Sequence, residues 1–264
     1  MNRIVTLGLT IGDVNGIGPE VSLKAAYRGP LPKNVRLVLV GSHSIIARQA
    51  RALKLPVPPR WRPGSGVAPK ERVTTWDPDP GHRLAWQPGV IDRQCGRAAA
   101  GWIRACVLAC VDGSLQGMVT APISKDAFHR AGIPFPGHTE LLAELTGTTR
   151  FAMMLFGGPL KVLLATRHLP LSQVARRLSR EGITESIELA GEALPWLGCR
   201  KRRIGVCALN PHGGDGGLLG TEEKRIILPA IQKARSKGFD VEGPVPADVI
   251  FYQARQGAYG AVVA

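Results

Sequence analysis

Residues 205–223, GVCALNPHGGDGGLLGTEE, constrain the fold more than any other part of this sequence. The stretch begins with a short apolar run that is typical of a buried strand. It ends in acidic residues, which favour the first turn of a helix because a helix N-terminus carries partial positive charge. A Gly-rich turn holding Asn210, His212 and Asp215 joins the two. In an α/β fold such a turn lies at the carboxyl end of a sheet, where ligands bind.

Glycines alone would also suit an ordinary connection between a strand and a helix, because glycine adopts backbone angles that other residues avoid. Three polar side chains within six positions exceed what such a connection requires. The turn is therefore a candidate binding loop.

The N-terminal region has the same order of strand, polar loop and helix. We predict a strand at 4–11, a Gly-rich loop at 12–18 and a helix at 19–27. A second buried strand at 35–40 and a second helix at 42–53 follow. This spacing predicts parallel strands joined by crossover helices, which is the α/β fold class. A chain of 264 residues is long enough for one large α/β domain or two smaller ones.

Weaker patterns follow along the chain. We predict a strand at 118–120 and a hairpin around 157–159. The apolar runs at 249–252 and 261–264 predict two more strands. Residues 56–88 are rich in Pro, Gly and Arg, so we expect surface loops and short strands there.

The composition is that of a soluble globular protein and excludes several classes. Hydrophobic residues make up 44% of the chain, and no apolar run approaches the roughly 18 residues that span a bilayer. The N-terminus lacks the pattern of a signal peptide, so the cytoplasm is the expected location. The five cysteines follow no zinc or disulfide spacing.

The formal net charge of +14 is compatible with nucleic acid, a membrane surface or anionic small molecules as partners. Aromatic residues are only 5% and do not alternate with basic ones, so no stacking platform for single strands is indicated. No helix-turn-helix, zinc-finger or RNP pattern occurs. Nucleic acid is therefore not the expected partner.

Several polar loops follow predicted strands and are candidate binding loops. The loop 12–18 could present backbone N–H groups to an anion, or be only a tight turn. His138 and Thr139 begin a predicted helix, where both side chains can hydrogen-bond a phosphate or carboxylate; the alternative is a Thr cap beside an unrelated His. Lys125 follows a strand and could add positive charge, although single lysines are usually surface residues.

His168 and His212 each follow a predicted strand. Two imidazoles at one sheet edge can bind a divalent metal, but a lone histidine is more often structural. A catalytic metal usually takes three protein ligands, and no other histidine lies in a comparable loop. A third ligand would have to come from elsewhere.

Six motifs resemble one family of enzymes. They are IGDVNGIGPE, TAPISK, PGHTELLAELTG, RHLPL, NPHGGDGGLLGTEE and GPVPAD, in this order. Together they resemble the 4-hydroxythreonine-4-phosphate dehydrogenases of pyridoxal phosphate biosynthesis. The resemblance implies the isocitrate/isopropylmalate dehydrogenase fold, with two α/β/α domains, an interdomain cleft and a homodimer whose sites lie near the subunit interface. We expect the first domain at 1–130 and the second at 131–264.

The resemblance also implies roles for individual residues. His138 and Thr139 of the GHTE motif would bind the substrate. His168 and His212 would bind a divalent metal, either zinc, magnesium or cobalt. The cofactor would be NAD(P), and the substrate a phosphorylated small molecule.

In the family reaction, NAD(P) oxidises the secondary hydroxyl of 4-phosphooxy-L-threonine, and the 3-oxo acid then loses CO2 to give 3-amino-2-oxopropyl phosphate. A metal on the hydroxyl would lower its pKa and stabilise the enolate that decarboxylation leaves. Asp248 and Lys125 are the candidate catalytic residues, and Asp215 is a further candidate for proton handling. The alternatives are a relative that oxidises D-threonate or erythronate phosphate or a cis-diol dicarboxylate, and a non-catalytic protein that retains the scaffold.

The sequence departs from the family pattern most strongly at its C-terminus. In the family, a strand like 258–264 continues into a segment that carries the third metal-binding histidine and further substrate-binding residues, and completes the first domain. We expect that segment to be absent here, either because the chain is a fragment or because it is naturally shorter. A naturally shorter chain would bind metal weakly and turn over little substrate.

Overall fold

The computed structural model of the chain describes residues 4–67, 69–81 and 83–264. They form two compact units, of which the first ends at Thr148 and the second runs from Thr149 to Ala264. Each unit contains one sheet with its own helices, so the predicted α/β fold class is confirmed. Within the described residues, no helix has both the length and the apolar character needed to cross a membrane.

The first unit contains a four-stranded parallel sheet in the order β3-β2-β1-β4. Its elements are β1 (Val5–Thr10), α1 (Gly18–Arg28), β2 (Val35–Val40), α2 (His43–Ala52), β3 (Val73–Trp76), α3 (Arg93–Val111), β4 (Gly117–Thr120), α4 (Lys125–Arg130) and α5 (His138–Thr146). The predicted N-terminal order of strand, helix, strand and helix is confirmed, as is the short strand that precedes TAPISK.

Burial explains why β2 is almost continuously hydrophobic. Residues 37–40 are all buried, as expected for a parallel strand that is covered on both faces. Leu39 is fully buried in the core of this unit, together with Ile46 of α2 and Ile103 of α3. The sheet therefore has the packing of an α/β layer fold.

Helix α5 belongs to the first unit, so the boundary between the units follows Thr148 instead of residue 130. Leu141 of α5 is 2% exposed and lies in the same core as the first sheet. The helix also contacts α3. This apolar packing anchors the GHTE motif to the same unit as TAPISK.

The second unit contains a five-stranded sheet in the order β5-β6-β9-β7-β8. Its elements are β5 (Met154–Gly157), β6 (Leu160–Leu163), α6 (Leu171–Arg177), α7 (Arg180–Trp196), β7 (Ile204–Cys207), α8 (Leu228–Ser236), β8 (Val241–Val245), α9 (Ala247–Arg255) and β9 (Ala261–Val263). Strands β5 and β6 form the predicted antiparallel hairpin, and the other neighbouring strands are parallel. The carboxyl ends of β6, β7 and β8 therefore lie at one edge of the sheet.

Residues 249–252 are helical, so the strand predicted there is wrong. They belong to α9, in which Ile250 and Ala254 are buried while Val249 and Tyr252 are exposed. Buried positions four residues apart match the repeat of a helix and not the alternation of a strand. A run of four apolar residues is too short to distinguish the two.

Candidate functional site

In the first unit, the loop after β1 contacts the loop after β4. The backbone N–H of Asp13 donates a hydrogen bond of 3.0 Å to the carbonyl oxygen of Pro122. Gly12 makes this approach possible, since a Cβ atom there would lie 2.2 Å from the same oxygen. Its φ of 68° also lies in the left-handed region that favours glycine. The IGDVNGIGPE and TAPISK motifs are thus joined backbone to backbone.

The carboxyl group of Asp13 is buried at this contact, and the residue is 6% exposed. Burial raises the pKa of Asp13, the hydrogen bond from the Asn15 N–H lowers it, and the nearby Asp92 carboxylate raises it again, so the pKa lies above its usual value. Such a group at the carboxyl edge of a sheet is typical of a functional site. A role for Asp13 is not among the predictions from the sequence, although its place after the glycine of a strand–helix loop was an available signal.

Asn15 fastens the same loop to the chain segment 87–90. Its side-chain oxygen accepts the N–H of Gln87 at 2.8 Å, and its side-chain nitrogen donates to the carbonyl of Val90 at 3.0 Å. Its backbone carbonyl accepts the N–H of Gly89 at 2.8 Å. Because these groups are buried and satisfied, the loop has a fixed shape before any ligand binds.

His138 is the first residue of α5, and its ring lies against the loop after β4. The ring hydrogen-bonds the backbone of Ala121, and its Nε2 atom is buried with no hydrogen-bond partner among the described residues. Burial lowers the pKa of His138, and the bond to Ala121 offsets this only in part, so the ring is neutral at neutral pH. We assign the ring proton to Nδ1, facing the backbone of Ala121, so that the unpartnered Nε2 presents a lone pair. This acceptor suits a hydroxyl or amine group of a ligand.

Thr139 and Lys125 lie in the first turns of the helices next to this loop. Thr139 is half-buried in α5, and Lys125 is exposed at the start of α4. Ser124 caps α4 by accepting the N–H of Ala127 at 3.1 Å. The first unit therefore brings the loop 12–18, Lys125 and the GHTE residues to the carboxyl edge of its sheet.

In the second unit, the NPHGGDGG segment forms a left-handed turn after β7. Residues 212–216 all have positive φ, between 47° and 80°. Three of them are glycines, but His212 and Asp215 carry side chains and adopt this conformation at a cost of about 1–2 kcal/mol each. Both side chains are exposed. Strain of this kind persists only where the surrounding structure holds it, and it clusters at functional sites.

Glu223 holds the start of this turn and is 3% exposed. Its Oε1 atom accepts the N–H groups of Leu209 at 3.0 Å and Asn210 at 2.7 Å, and its Oε2 atom accepts Nδ2 of Asn210 at 2.9 Å. Burial raises the pKa of Glu223, but the hydrogen bonds from Asn210 and Leu209 outweigh it and leave the pKa below its usual value. The residue opens a π-helical turn, Glu223–Ile227, a rare geometry that is frequent at functional sites.

His168 follows β6 at the same sheet edge as His212, and it is exposed with a φ of 51°. The preceding Arg167 donates to the carbonyl of Phe151 at 3.3 Å and lies 4.9 Å from the centre of its ring. Strand β9 lies between β6 and β7, so the two strand ends are two strand spacings, about 10 Å, apart. The two histidines therefore project from neighbouring loops whose backbones are both strained.

The described residues do not complete a metal site. No three His, Cys, Asp or Glu side chains among them are grouped as a metal ion requires. His168 and His212 are thus two candidate ligands where a catalytic metal usually has three. Asp248 lies exposed in the first turn of α9, directly after β8 at the same sheet edge, and its catalytic role stays a prediction.

Comparison with known proteins decides the family. The family described as "Pyridoxal phosphate biosynthetic protein PdxA" matches residues 33–264. The chain belongs to this family. It is 39% identical over 262 residues to a 4-hydroxythreonine-4-phosphate dehydrogenase of Geobacter metallireducens. This alignment covers 97% of this chain and 76% of the relative. It is also 36% identical over 269 residues to a D-threonate 4-phosphate dehydrogenase of Salmonella typhimurium. That alignment covers 98% of this chain and 80% of the relative.

The fold agrees with solved structures of the PdxA family. A crystal structure of 4-hydroxythreonine-4-phosphate dehydrogenase from Klebsiella pneumoniae matches with a TM-score of 0.85 and 35% identity, over 100% of this chain and 81% of that one. The predicted resemblance and the predicted enzyme class, a dehydrogenase, are therefore confirmed. The chain spans about four fifths of the length of these relatives.

Proposed function

We propose that this PdxA-family chain is an NAD(P)-dependent dehydrogenase whose substrate is 4-phosphooxy-L-threonine. A hydride passes from the carbinol carbon to the nicotinamide ring and the hydroxyl proton is released, which gives NAD(P)H and the 3-oxo acid. The 3-oxo acid then loses CO2 to give 3-amino-2-oxopropyl phosphate. The membership of the family and the names of its relatives support this proposal.

The unpaired Nε2 atom of His138 is the observation that supports the proposal most directly. A neutral ring with a buried lone pair is suited to accept a hydrogen bond from a substrate hydroxyl or amine. The hydroxyl of Thr139 and the positive N-terminal turn of α5 would hold the substrate's anionic groups. The ammonium group of Lys125 would add positive charge at the same edge.

Proton handling is the remaining task of the site residues. Asp13 is a better candidate for this role than Lys125, because its pKa is shifted upward, towards the range in which a general base works at neutral pH. In the second unit, the candidates for proton handling are Asp248 and Asp215, since both follow strands at the same edge of the sheet.

Turnover of two phosphorylated acids tests the substrate. D-Threonate 4-phosphate has a hydroxyl where the threonine substrate has an amine, and several relatives at 35–36% identity are named for it, so its oxidation is the second candidate function. We expect kcat/KM to be at least about tenfold higher for 4-phosphooxy-L-threonine, measured by the formation of reduced nicotinamide. The reverse order would assign the second function. No reduction of NAD or NADP with either substrate would contradict both.

We also propose that His168 and His212 supply two imidazoles to a divalent cation, either zinc, magnesium or cobalt. When bound, such an ion would act as a Lewis acid on the substrate hydroxyl. We assign no step to it, because the described residues do not complete its ligand set.

Calorimetric titration of Zn2+ tests these two ligands. We expect the chain to bind Zn2+ with a dissociation constant above about 1 μM, and His168→Ala and His212→Ala to weaken binding by at least about tenfold each. His129→Ala is the matched control, since His129 is an exposed histidine on α4 in the other unit. Equal affinity in all four proteins would remove both histidines from the metal site.

A cytoplasmic homodimer, with its sites near the subunit interface, completes the proposal. The family resemblance supports it, and the exposed residues Leu155 and Phe156 of the edge strand β5 are compatible with a covered face. Light scattering tests it, because a monomer has a mass of 28.2 kDa and a dimer has twice that mass.

A further inference from the structure

The first unit contains a cavity of about 840 Å³ at the carboxyl ends of β2 and β3. Ser42 and His43 follow β2, Asp77 follows β3, and all three line the cavity. We call it the arginine pocket, because its wall includes the side chains of Arg60, Arg62 and Arg83. Open parallel sheets bind ligands at this edge.

The three guanidinium groups of the arginine pocket are free to bind an anion. None of them forms an ion pair or a hydrogen bond with another residue in the part of the chain that the structure describes. Asp77, the one acid among the described lining residues, is already engaged: its carboxylate accepts the N–H of His43 at 3.1 Å and that of Asp79 at 3.2 Å. The pocket therefore has an excess of positive charge, because three guanidinium groups line it together with the single carboxylate of Asp77.

The wall of the pocket also offers flat apolar surface. Trp61 and Trp76 both line it and are half-buried. The indole N–H of Trp61 donates to the carbonyl of Val67 at 2.8 Å, which fixes the ring. A fixed tryptophan ring can stack with an aromatic base, while arginines bind phosphate through paired N–H donors.

The pocket continues towards the site residues of the same unit. Leu84 lines the pocket, and three residues later the N–H of Gln87 donates to Asn15 in the loop after β1. In the sheet order β3-β2-β1-β4, the pocket and the contact between the loops after β1 and β4 are two strand spacings, about 10 Å, apart. A ligand with two linked nucleotides is long enough to reach both.

We propose that the arginine pocket binds a phosphorylated adenosine group, with the base against the tryptophan wall and the phosphate on the arginines. One source of this group is the adenosine 2′-phosphate end of NADP, in which case the inference rests on the proposed function and gives the enzyme a preference for NADP. The other source is a free adenine nucleotide.

Calorimetry with 2′,5′-ADP tests the pocket without requiring turnover. We expect Arg62→Gln and Arg83→Gln each to weaken binding of 2′,5′-ADP by about tenfold, since each removes one charged donor. Arg104→Gln makes the same change at an exposed position of α3 outside the pocket and is expected to bind as the unmodified chain does. Thermal unfolding of all four proteins checks that the substitutions, which are at exposed residues, leave the fold intact.

Two further measurements distinguish NADP from a free adenine nucleotide and adenosine binding from phosphate binding alone. If KM for NADP rises in the same two variants and KM for NAD does not, the pocket holds the 2′-phosphate of the cofactor. If 2′,5′-ADP binding falls but both KM values stay constant, the pocket holds a free nucleotide. Equal 2′,5′-ADP affinity in all four proteins, or equal affinity for inorganic phosphate and 2′,5′-ADP, would overturn the proposal. If the chain has no measurable turnover, calorimetry with 2′,5′-ADP alone decides whether the pocket binds the nucleotide.

Discussion

Replacing His138 by asparagine is expected to lower kcat/KM by roughly 10- to 100-fold and to leave the fold intact. The shorter amide can still donate to the backbone of Ala121, but it has no acceptor at the position of Nε2. Loss of one buried hydrogen bond to the substrate is worth about 1.5–3 kcal/mol when a charged group takes part. The rate of NAD(P) reduction with 4-phosphooxy-L-threonine measures it.

Two comparisons make this expectation specific. His138→Gln places an amide oxygen near the position of Nε2, so we expect it to recover part of the lost kcat/KM. His129→Asn changes an exposed histidine on α4 and is expected to have no effect. If His138→Asn keeps the activity of the unmodified enzyme, or if the glutamine variant is no better than the asparagine variant, Nε2 is not the acceptor.

The pH dependence follows from the lowered pKa of His138. Burial keeps the ring neutral down to a pH below its ordinary value of 6.5, and protonation below that pH removes the lone pair on Nε2. The unfolded chain binds this proton at higher pH than the folded chain, so stability is also lost as pH falls below 6.5. We expect kcat/KM to fall on the acid side, and the part of that fall due to His138 to disappear in His138→Asn.

The sequence predicts the layout of the fold well, because the layout depends on local patterns. The hydrophobic run of β2 and the Gly-rich loops after β1 and β7 can each be recognised from a short stretch of consecutive residues. Strand–helix alternation then places each of those loops at the carboxyl end of its own sheet. The prediction failed at 249–252, because an apolar run of four residues is too short to distinguish a helix from a strand.

The chemistry of the site depends on contacts that no local pattern contains. The pKa of Asp13 is raised because the loop after β4 buries it, and the lone pair of His138 is defined by a bond to Ala121 in another loop. The arginine pocket joins Arg60 and Arg83 from distant parts of a segment for which the sequence predicts surface loops and short strands. Residue type shows that these groups can act; the tertiary fold decides which of them are buried, paired or free.

Glu223 provides the second large effect, which is on stability. Glu223→Ala is expected to reduce the free energy of unfolding by about 3 kcal/mol or more, because it leaves the N–H groups of Leu209 and Asn210 and the Asn210 amide without their buried acceptor. Gly214 packs against the same carboxylate, since a Cβ atom added to this glycine would lie only 2.8 Å from Oε2. The left-handed turn that carries His212 therefore loses its support as well. Urea unfolding measures the change.

A charge-only variant separates the hydrogen bonds of Glu223 from its packing. Glu223→Gln keeps the shape of the side chain, so we expect a smaller loss of unfolding free energy than in the alanine variant. Glu222→Gln removes the same charge from the neighbouring half-buried position, and we expect it to have little effect.

The folded-state pKa of Glu223 is depressed below 4.5, so its ionised form stabilises the fold above that pH, and this contribution is lost as pH falls through the folded pKa. The stability gap between the unmodified chain and Glu223→Gln should therefore close below pH 4.5. A gap that is independent of pH would mean that the charge of Glu223 does not stabilise the fold. An alanine variant as stable as the unmodified chain would mean that the turn holds His212 without Glu223.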